Sequence, residues 1–360
     1  MKILNATNPK YRGQLGSGQW TLCVGAGISR GIIPTWNELT RRVVNVAFSS
    51  NYTLSEFDKV VSQTGWGLDG WIQAAANQHK QNGGKPEKFH DLLENSLYDD
   101  LREKARSEGL EKDIVVALND PRNISKENVF LTCDFFERHY SGTSLLSIAK
   151  SLIKLENQPE KLPNSIITFN ADTLLHTIIE LFQRKGHYQG QPPHSHPKYW
   201  YKTIMRSMGG VPRRKVPIFH CHGAIKPKTN IKGPHRYDSR DKLIFLEQEY
   251  LKVATSASAW PETVFMFNAQ TNRMVFIGLS MADPNLRRWM ATANQIHRSD
   301  LEVVAKTIEV TPKHIWITTK SSDKRIDDIK QVALQHLGIR PAWIDKWSEL
   351  EVALYNLLGV

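Results

Sequence analysis

Four short stretches carry residue types from which a reactive site could be built. The first is Gly25-Ala26-Gly27-Ile28-Ser29, directly after an apolar run. Glycines there permit a tight turn and let backbone N–H groups approach a diphosphate, with the start of a following helix favouring negative charge. The same residues also suit a plain strand-to-helix turn. The second stretch is Thr168-Phe169-Asn170-Ala171-Asp172. An amide side chain both donates and accepts, which fits Asn170 to sugar hydroxyls or to a positioned water. Asp172 precedes Leu174, Leu175, Ile178 and Ile179, a place where a carboxylate also caps a helix.

The third stretch, His220-Cys221-His222-Gly223, closes another apolar run. Strand alternation sets His220 and His222 on one side, which opens two readings: metal ligation and general-base catalysis. A metal would lack an evident third ligand, since His194 and His196 stand in a proline-rich loop, and no metal is expected. The ordinary imidazole pKa of about 6.5 suits His222 to accept a proton near neutrality. The fourth stretch is Phe276-Ile277-Gly278-Leu279-Ser280, followed by Asp283-Pro284. It offers a second close backbone approach at Gly278, a hydroxyl at Ser280, and a helix cap at Asp283.

Each of these stretches ends a run of buried-strand type. The runs are Trp20–Val24, 165–169, 216–219 and 274–277, and a fifth covers 314–318. A helix is expected from about Trp36, with Pro34 and Thr35 at its start and Leu39, Val43, Val46 and Ala47 on one face. Residues 50–160 lack strong strand signals and read as helical, broken by the turn at 81–86. Within them Leu145, Ile148, Ala149, Leu152 and Ile153 form an amphipathic helix capped by Thr143 or Ser144. Asp283 opens a helix reaching about His297, and 348–358 is a last helix ended by Gly359. Strands alternating with helices predict an α/β, Rossmann-like fold: a parallel sheet with helices on both faces. The expected division is 1–49 with 161–360 as the sheet-bearing domain and 50–160 as a helical insertion. Ligands of such sheets lie beyond the carboxyl ends of the strands, so all four stretches would meet in one crevice.

The chain has 360 residues, 40% of them hydrophobic, enough to bury a sizeable core without disulfides. No run approaches the roughly 18 apolar residues of a membrane span. The start of the chain has no apolar segment of secretory type, and its three cysteines, Cys23, Cys133 and Cys221, are scattered. They form no CxxC pair, which excludes a four-cysteine zinc ribbon and points to a reducing cytoplasm. The formal net charge is +11, with a basic stretch at 198–242 opposed only by Asp238 and Asp241. That stretch fits either a polyanion such as nucleic acid, an acidic partner, or a solvated loop.

Taken in order, the four motifs resemble those of the sirtuin superfamily. GAGIS with the Pro34-Thr35-Trp36 segment is similar to the family's glycine loop; TFNAD resembles its T-x-N-x-D motif. HCHG resembles the segment with the catalytic histidine, and FIGLS the G-x-S segment that holds the adenosine half of NAD. The resemblance spans about residues 20–290. The chain departs from sirtuin deacylases in lacking the zinc ribbon and in carrying Pro34-Thr35-Trp36 where they have a proline-aspartate-phenylalanine-arginine loop. It looks more like the divergent Sir2-like branch of bacterial antiphage defence, whose members consume NAD by hydrolysis and, when encoded beside a HerA-type ATPase, assemble with it into large oligomers.

The resemblance implies that NAD is the substrate, that the activity is an NADase, and that the chain is a homo-oligomer with a HerA-type ATPase as partner. Carried over to this sequence, Asn170 and His222 would be catalytic. Gly25, Ala26, Gly27 and Ser29 would bind the diphosphate, with Asp172 beside them. Gly278, Ser280 and Asp283 would serve the adenosine side, and Thr35 and Trp36 would close over the nicotinamide ribose. NAD-dependent protein deacylation and a non-catalytic nucleotide-binding or assembly module are the alternatives.

Overall fold

The computed structural model describes residues 5–16, 19–190, 199–205, 214–228, 243–256, 259–304 and 311–360. Along the chain, β1 (Trp20–Val24) leads through a short helical turn, Ala26–Ser29, into α1 (Trp36–Ala47). Six helices follow: α2 (Leu54–Thr64), α3 (Leu68–Gln81), α4 (Pro86–Arg106), α5 (Glu111–Asn119), α6 (Lys126–Tyr140) and α7 (Ser144–Lys154). The chain then enters β2 (Ser165–Thr168), α8 (Leu174–Gly190), β3 (Tyr201–Ile204) and β4 (Val216–His220). Next come α9 (Glu247–Thr255), α10 (Trp260–Thr271), β5 (Arg273–Ile277), α11 (Pro284–Val304) and β6 (His314–Thr319). Last are α12 (Lys324–Ala333), β7 (Ile339–Ile344) and α13 (Leu350–Leu358).

Among the described residues the strands form one seven-stranded sheet in the order β3-β4-β2-β1-β5-β6-β7, with every pairing parallel. Successive strand residues face opposite sides, and the core divides accordingly. Leu22, Val24, Ile166, Ile218, Val275 and Ile277 pack with α1, the helices between β1 and β2, α8 and α13. Cys23, Ile167, Phe219, Met274 and Phe276 pack on the other side with α10 and α11. Both faces of each central strand are therefore covered, which is why these runs read as continuously apolar. The fold is α/β and Rossmann-like, as the sequence predicts. The chain builds outward from β1 in one direction through β2 and in the other through β5, so the order reverses at β1, where such sheets open a crevice.

The helix signals hold at several termini. Thr35 caps α1 through a reciprocal capping box with Glu38, Asp283 accepts the Leu286 N–H at 3.0 Å, and Gly359 ends α13 with φ +72°. Thr143 stands at the start of α7, but its hydroxyl turns back to the Tyr140 carbonyl at 2.8 Å instead of capping. α11 runs seven residues past the expected His297, to Val304. The sequence signals neither β3 nor β7, and both are edge strands. Pro341 reads against a strand, yet an edge tolerates its missing N–H. β3 is four residues long and half exposed, too short for alternation to register. The expected loop at 190–198 lies, beyond Gly190, outside the described residues, as do 206–213 and 229–242 of the basic stretch. No helix among the described residues is long and apolar enough to cross a membrane.

Candidate active site at the strand ends

The carboxyl ends of β1, β2, β4 and β5 bring the four motifs together. Ser29 is fully buried after β1 and donates its hydroxyl proton to Asp172 Oδ2 at 3.2 Å, beyond β2. A hydroxyl has one proton, so toward Asn170 the same oxygen accepts, from Nδ2 at 3.5 Å. That direction fixes the amide. Asn170 Oδ1 faces the other way, buried and without a hydrogen-bond partner among the described residues. Asp172 Oδ1 accepts the Leu174 N–H at 2.9 Å, so the carboxylate also starts α8. Burial raises the Asp172 carboxyl to about 6, against the lowering effect of these hydrogen bonds.

His222 lies in the turn after β4. Its ring meets Phe169 edge-on with centroids 4.8 Å apart and Tyr250 of α9 at 5.3 Å. It is 6% exposed, and burial alone pushes its pKa down to about 3. The imidazole is thus neutral at pH 7. Cys221 donates its backbone N–H to the Thr168 carbonyl at 3.0 Å, and Ile225 donates to the Ala171 carbonyl at 2.6 Å. These bonds hold the His222 turn against the segment carrying Asn170.

The histidine pair corrects one expectation. His220 is the last residue of its strand and its Nε2 meets His176 Nδ1 of α8 at 3.1 Å, in the core on that face. His222 lies past the strand, where a period of two no longer governs, and has Phe169 and Tyr250 as neighbours instead. The two rings therefore serve different surroundings. Among the described residues no group of three His, Cys, Asp or Glu side chains is placed to hold a metal ion. All three cysteines are buried free thiols.

The glycine turn packs on the loop after β5. Gly27 donates its N–H to the Gly278 carbonyl at 2.9 Å, and a Cβ on Gly27 would stand 2.8 Å from that oxygen. Gly278 has φ +69°, and a Cβ there would meet the Ile28 nitrogen at 2.6 Å. These glycines are required first by close packing of two loops. Of the turn's N–H groups, that of exposed Ala26 has no acceptor among the described residues. Ser280 is exposed, its oxygen accepting the Ala282 N–H at 3.3 Å, while Asp283 is engaged as the cap of α11. Thr35 is likewise engaged in its capping box, and Trp36 lies edge-on to Phe245 at 4.6 Å. Ile244 next to it donates to the His222 carbonyl at 2.9 Å, which ties the start of α1 to the histidine turn.

Residues 164–342 match the SIR2-like domain. The matched span runs from the residue before β2 into β7 and includes Asn170, Asp172, His222, Gly278, Ser280 and Asp283. The glycine turn and α1 precede it. The match supports a sirtuin-like fold and, in general terms, an NAD-related function. No curated protein matches the chain. Beyond the residues the sequence singles out, Tyr250 and Tyr98 border the candidate site, and their aromatic types carry no chemical motif. Tyr98 comes from α4 and donates to the Ile225 carbonyl at 2.7 Å.

Proposed function

We propose that the protein hydrolyses NAD+ at the nicotinamide–ribose bond, giving nicotinamide, ADP-ribose and a proton. The observation that carries this reading is the buried, unpartnered acceptor Asn170 Oδ1, on an amide oriented by the Ser29–Asp172 pair. A buried acceptor without a partner costs stability, and a sugar hydroxyl or a water would satisfy it. Cleavage passes through an oxocarbenium-like sugar, as in glycoside hydrolysis. The C–N bonding pair leaves with nicotinamide, which departs neutral and needs no general acid. Water supplies the new C–O bond, and its proton must be taken up. His222, unprotonated at neutrality, is the group assigned to that step. A pKa near 3 makes a weak base, so the negative diphosphate of the substrate is expected to raise it on binding.

The remaining assignments follow the loops. Ala26 N–H, with Gly25, Gly27 and Ser29 shaping the turn, receives the diphosphate, and Gly278 and Ser280 the adenosine side. Trp36 and Thr35 border the nicotinamide ribose. The Sir2-like resemblance extends the proposal to an NAD-depleting antiphage effector that acts as a homo-oligomer, with a HerA-type ATPase as its partner.

Nicotinamide release from NAD+, followed with purified protein alone and with such a partner, tests the reading. Asn170→Ala and His222→Ala should each lower kcat by about 10²–10⁴-fold while the melting temperature holds. Full activity in both variants would remove the assignment.

A further inference from the structure

Of the helices between β1 and β2, α4 brings one hydroxyl to both segments that carry the proposed pair. Tyr98 is fully buried on α4, and its hydroxyl donates to the Ile225 carbonyl at 2.7 Å while accepting the Thr173 N–H at 3.2 Å. Thr173 stands three residues after Asn170, and Ile225 three residues after His222. One hydroxyl thus spans the two segments that carry the proposed catalytic pair. Most of the buried α4 face, including Leu93, Leu97 and Leu101, is apolar, and two of its buried polar residues, Glu94 and Tyr98, both turn to the segment after β4. Burial holds the phenol pKa well up, with the nearby Asp172 charge adding to it, so the hydroxyl keeps its proton and remains a donor.

The same helices hold the segment after Ile225 along its length. Asn119 of α5 donates to the Pro227 carbonyl at 2.7 Å and receives Lys226 Nζ on its own carbonyl at 2.7 Å. Glu94, one turn before Tyr98, accepts the Lys228 N–H at 2.5 Å, and Asp91 pairs with Lys228 Nζ at 2.5 Å. These contacts act on backbone close to His222, and fixing that backbone fixes where the imidazole can stand relative to Asn170.

We infer that Tyr98 is a positioning residue: its hydroxyl pins the turn after β4 to the segment after β2 and thereby sets Asn170 and His222 for reaction. The consequence for catalysis rests on the NAD hydrolysis proposed above; the pin itself does not. Two readouts separate them. In Tyr98→Phe, amide exchange in peptides covering 169–175 and 220–228 should rise about tenfold, while peptides covering β5 and β6 stay unchanged. Nicotinamide release should fall by roughly 10²-fold in kcat, with KM for NAD+ within about threefold. Asn119→Ala keeps the phenol and should loosen 226–228 alone, with a smaller loss of kcat; if Tyr98→Phe does not fold, spread of that loosening into 220–225 overturns the pin. Unchanged exchange in both segments, or an equal rise throughout the sheet, overturns the pin. Raised exchange with kcat intact overturns its role in positioning. If the native protein releases no nicotinamide, the hydrolase reading fails while the exchange pattern still decides the pin.

Discussion

Burial raises the Asp172 carboxyl to about 6, so its charge changes close to neutrality. As a carboxylate it accepts the Ser29 proton, and that direction makes Ser29 accept from Asn170. Once protonated, the carboxyl can donate to Ser29 instead, which releases the Ser29 proton toward another acceptor such as Asn170, and the amide direction is no longer fixed. Nicotinamide release should therefore fall as pH drops through about 6, approaching tenfold per pH unit below it. Asp172→Asn should be slow and lack this limb; an unchanged limb in that variant would place the titration elsewhere. At this scale Asn170, Asp172 and His222 were legible because polar residues at the ends of apolar runs stand out. Tyr98 and Tyr250 were not, since they arrive from helices remote in sequence and look like ordinary aromatic residues. Nor did sequence separate His220 from His222, because the strand ends between them.

Among elements, the two loops after β1 and β5 depend on each other. Sequence spacing presents GAG as a turn that a diphosphate could approach, whereas the structure shows the glycines meeting the Gly278 backbone. Both statements concern the absence of a Cβ, and only three-dimensional neighbours reveal which contact demands it. Gly278→Ala adds a methyl against the Ile28 nitrogen in a left-handed conformation, with backbone on both sides and nothing able to yield cheaply. It should destabilise the protein by about 1–3 kcal/mol in urea titration, whereas Gly142→Ala, with open space around it, should be within about 0.5 kcal/mol of the native chain. Equal midpoints for the two would show that the loops can part. The central strands and capped helices were legible because burial on both faces leaves an unbroken apolar signal. The edge strands were not: β7 carries Pro341 and β3 is short and half exposed, and both owe their strand conformation to a neighbour already in place.

Across the whole molecule, buried imidazoles link stability to acid. His176, His220, His222 and His314 are all held below their ordinary pKa, chiefly by burial, and His220 and His222 down to about 3. An unfolded chain takes up a proton at each near 6.5, while the folded chain resists. Their stability is complete above about 6.5 and is lost as pH falls toward the folded values, by about 1.4 kcal/mol per pH unit for each. Asp172 opposes this. Its raised pKa means the folded chain holds a proton the unfolded one has lost between about 4 and 6, which favours folding on the acid side. The imidazoles outnumber it, so net stability should decline below pH 6.5. His314 isolates the effect, because it sits at the start of β6, away from the candidate site. Its Nδ1 accepts the Met274 N–H at 3.0 Å, which requires that nitrogen to be unprotonated. His314→Gln offers an amide oxygen in its place but no titrating group. Its unfolding free energy, from urea titrations between pH 6 and 5, should fall less steeply than that of the native chain by about 1.4 kcal/mol per pH unit. Identical slopes would mean that His314 takes up its proton without unfolding, and that the acid sensitivity belongs to the histidines around α8 and the β4 turn.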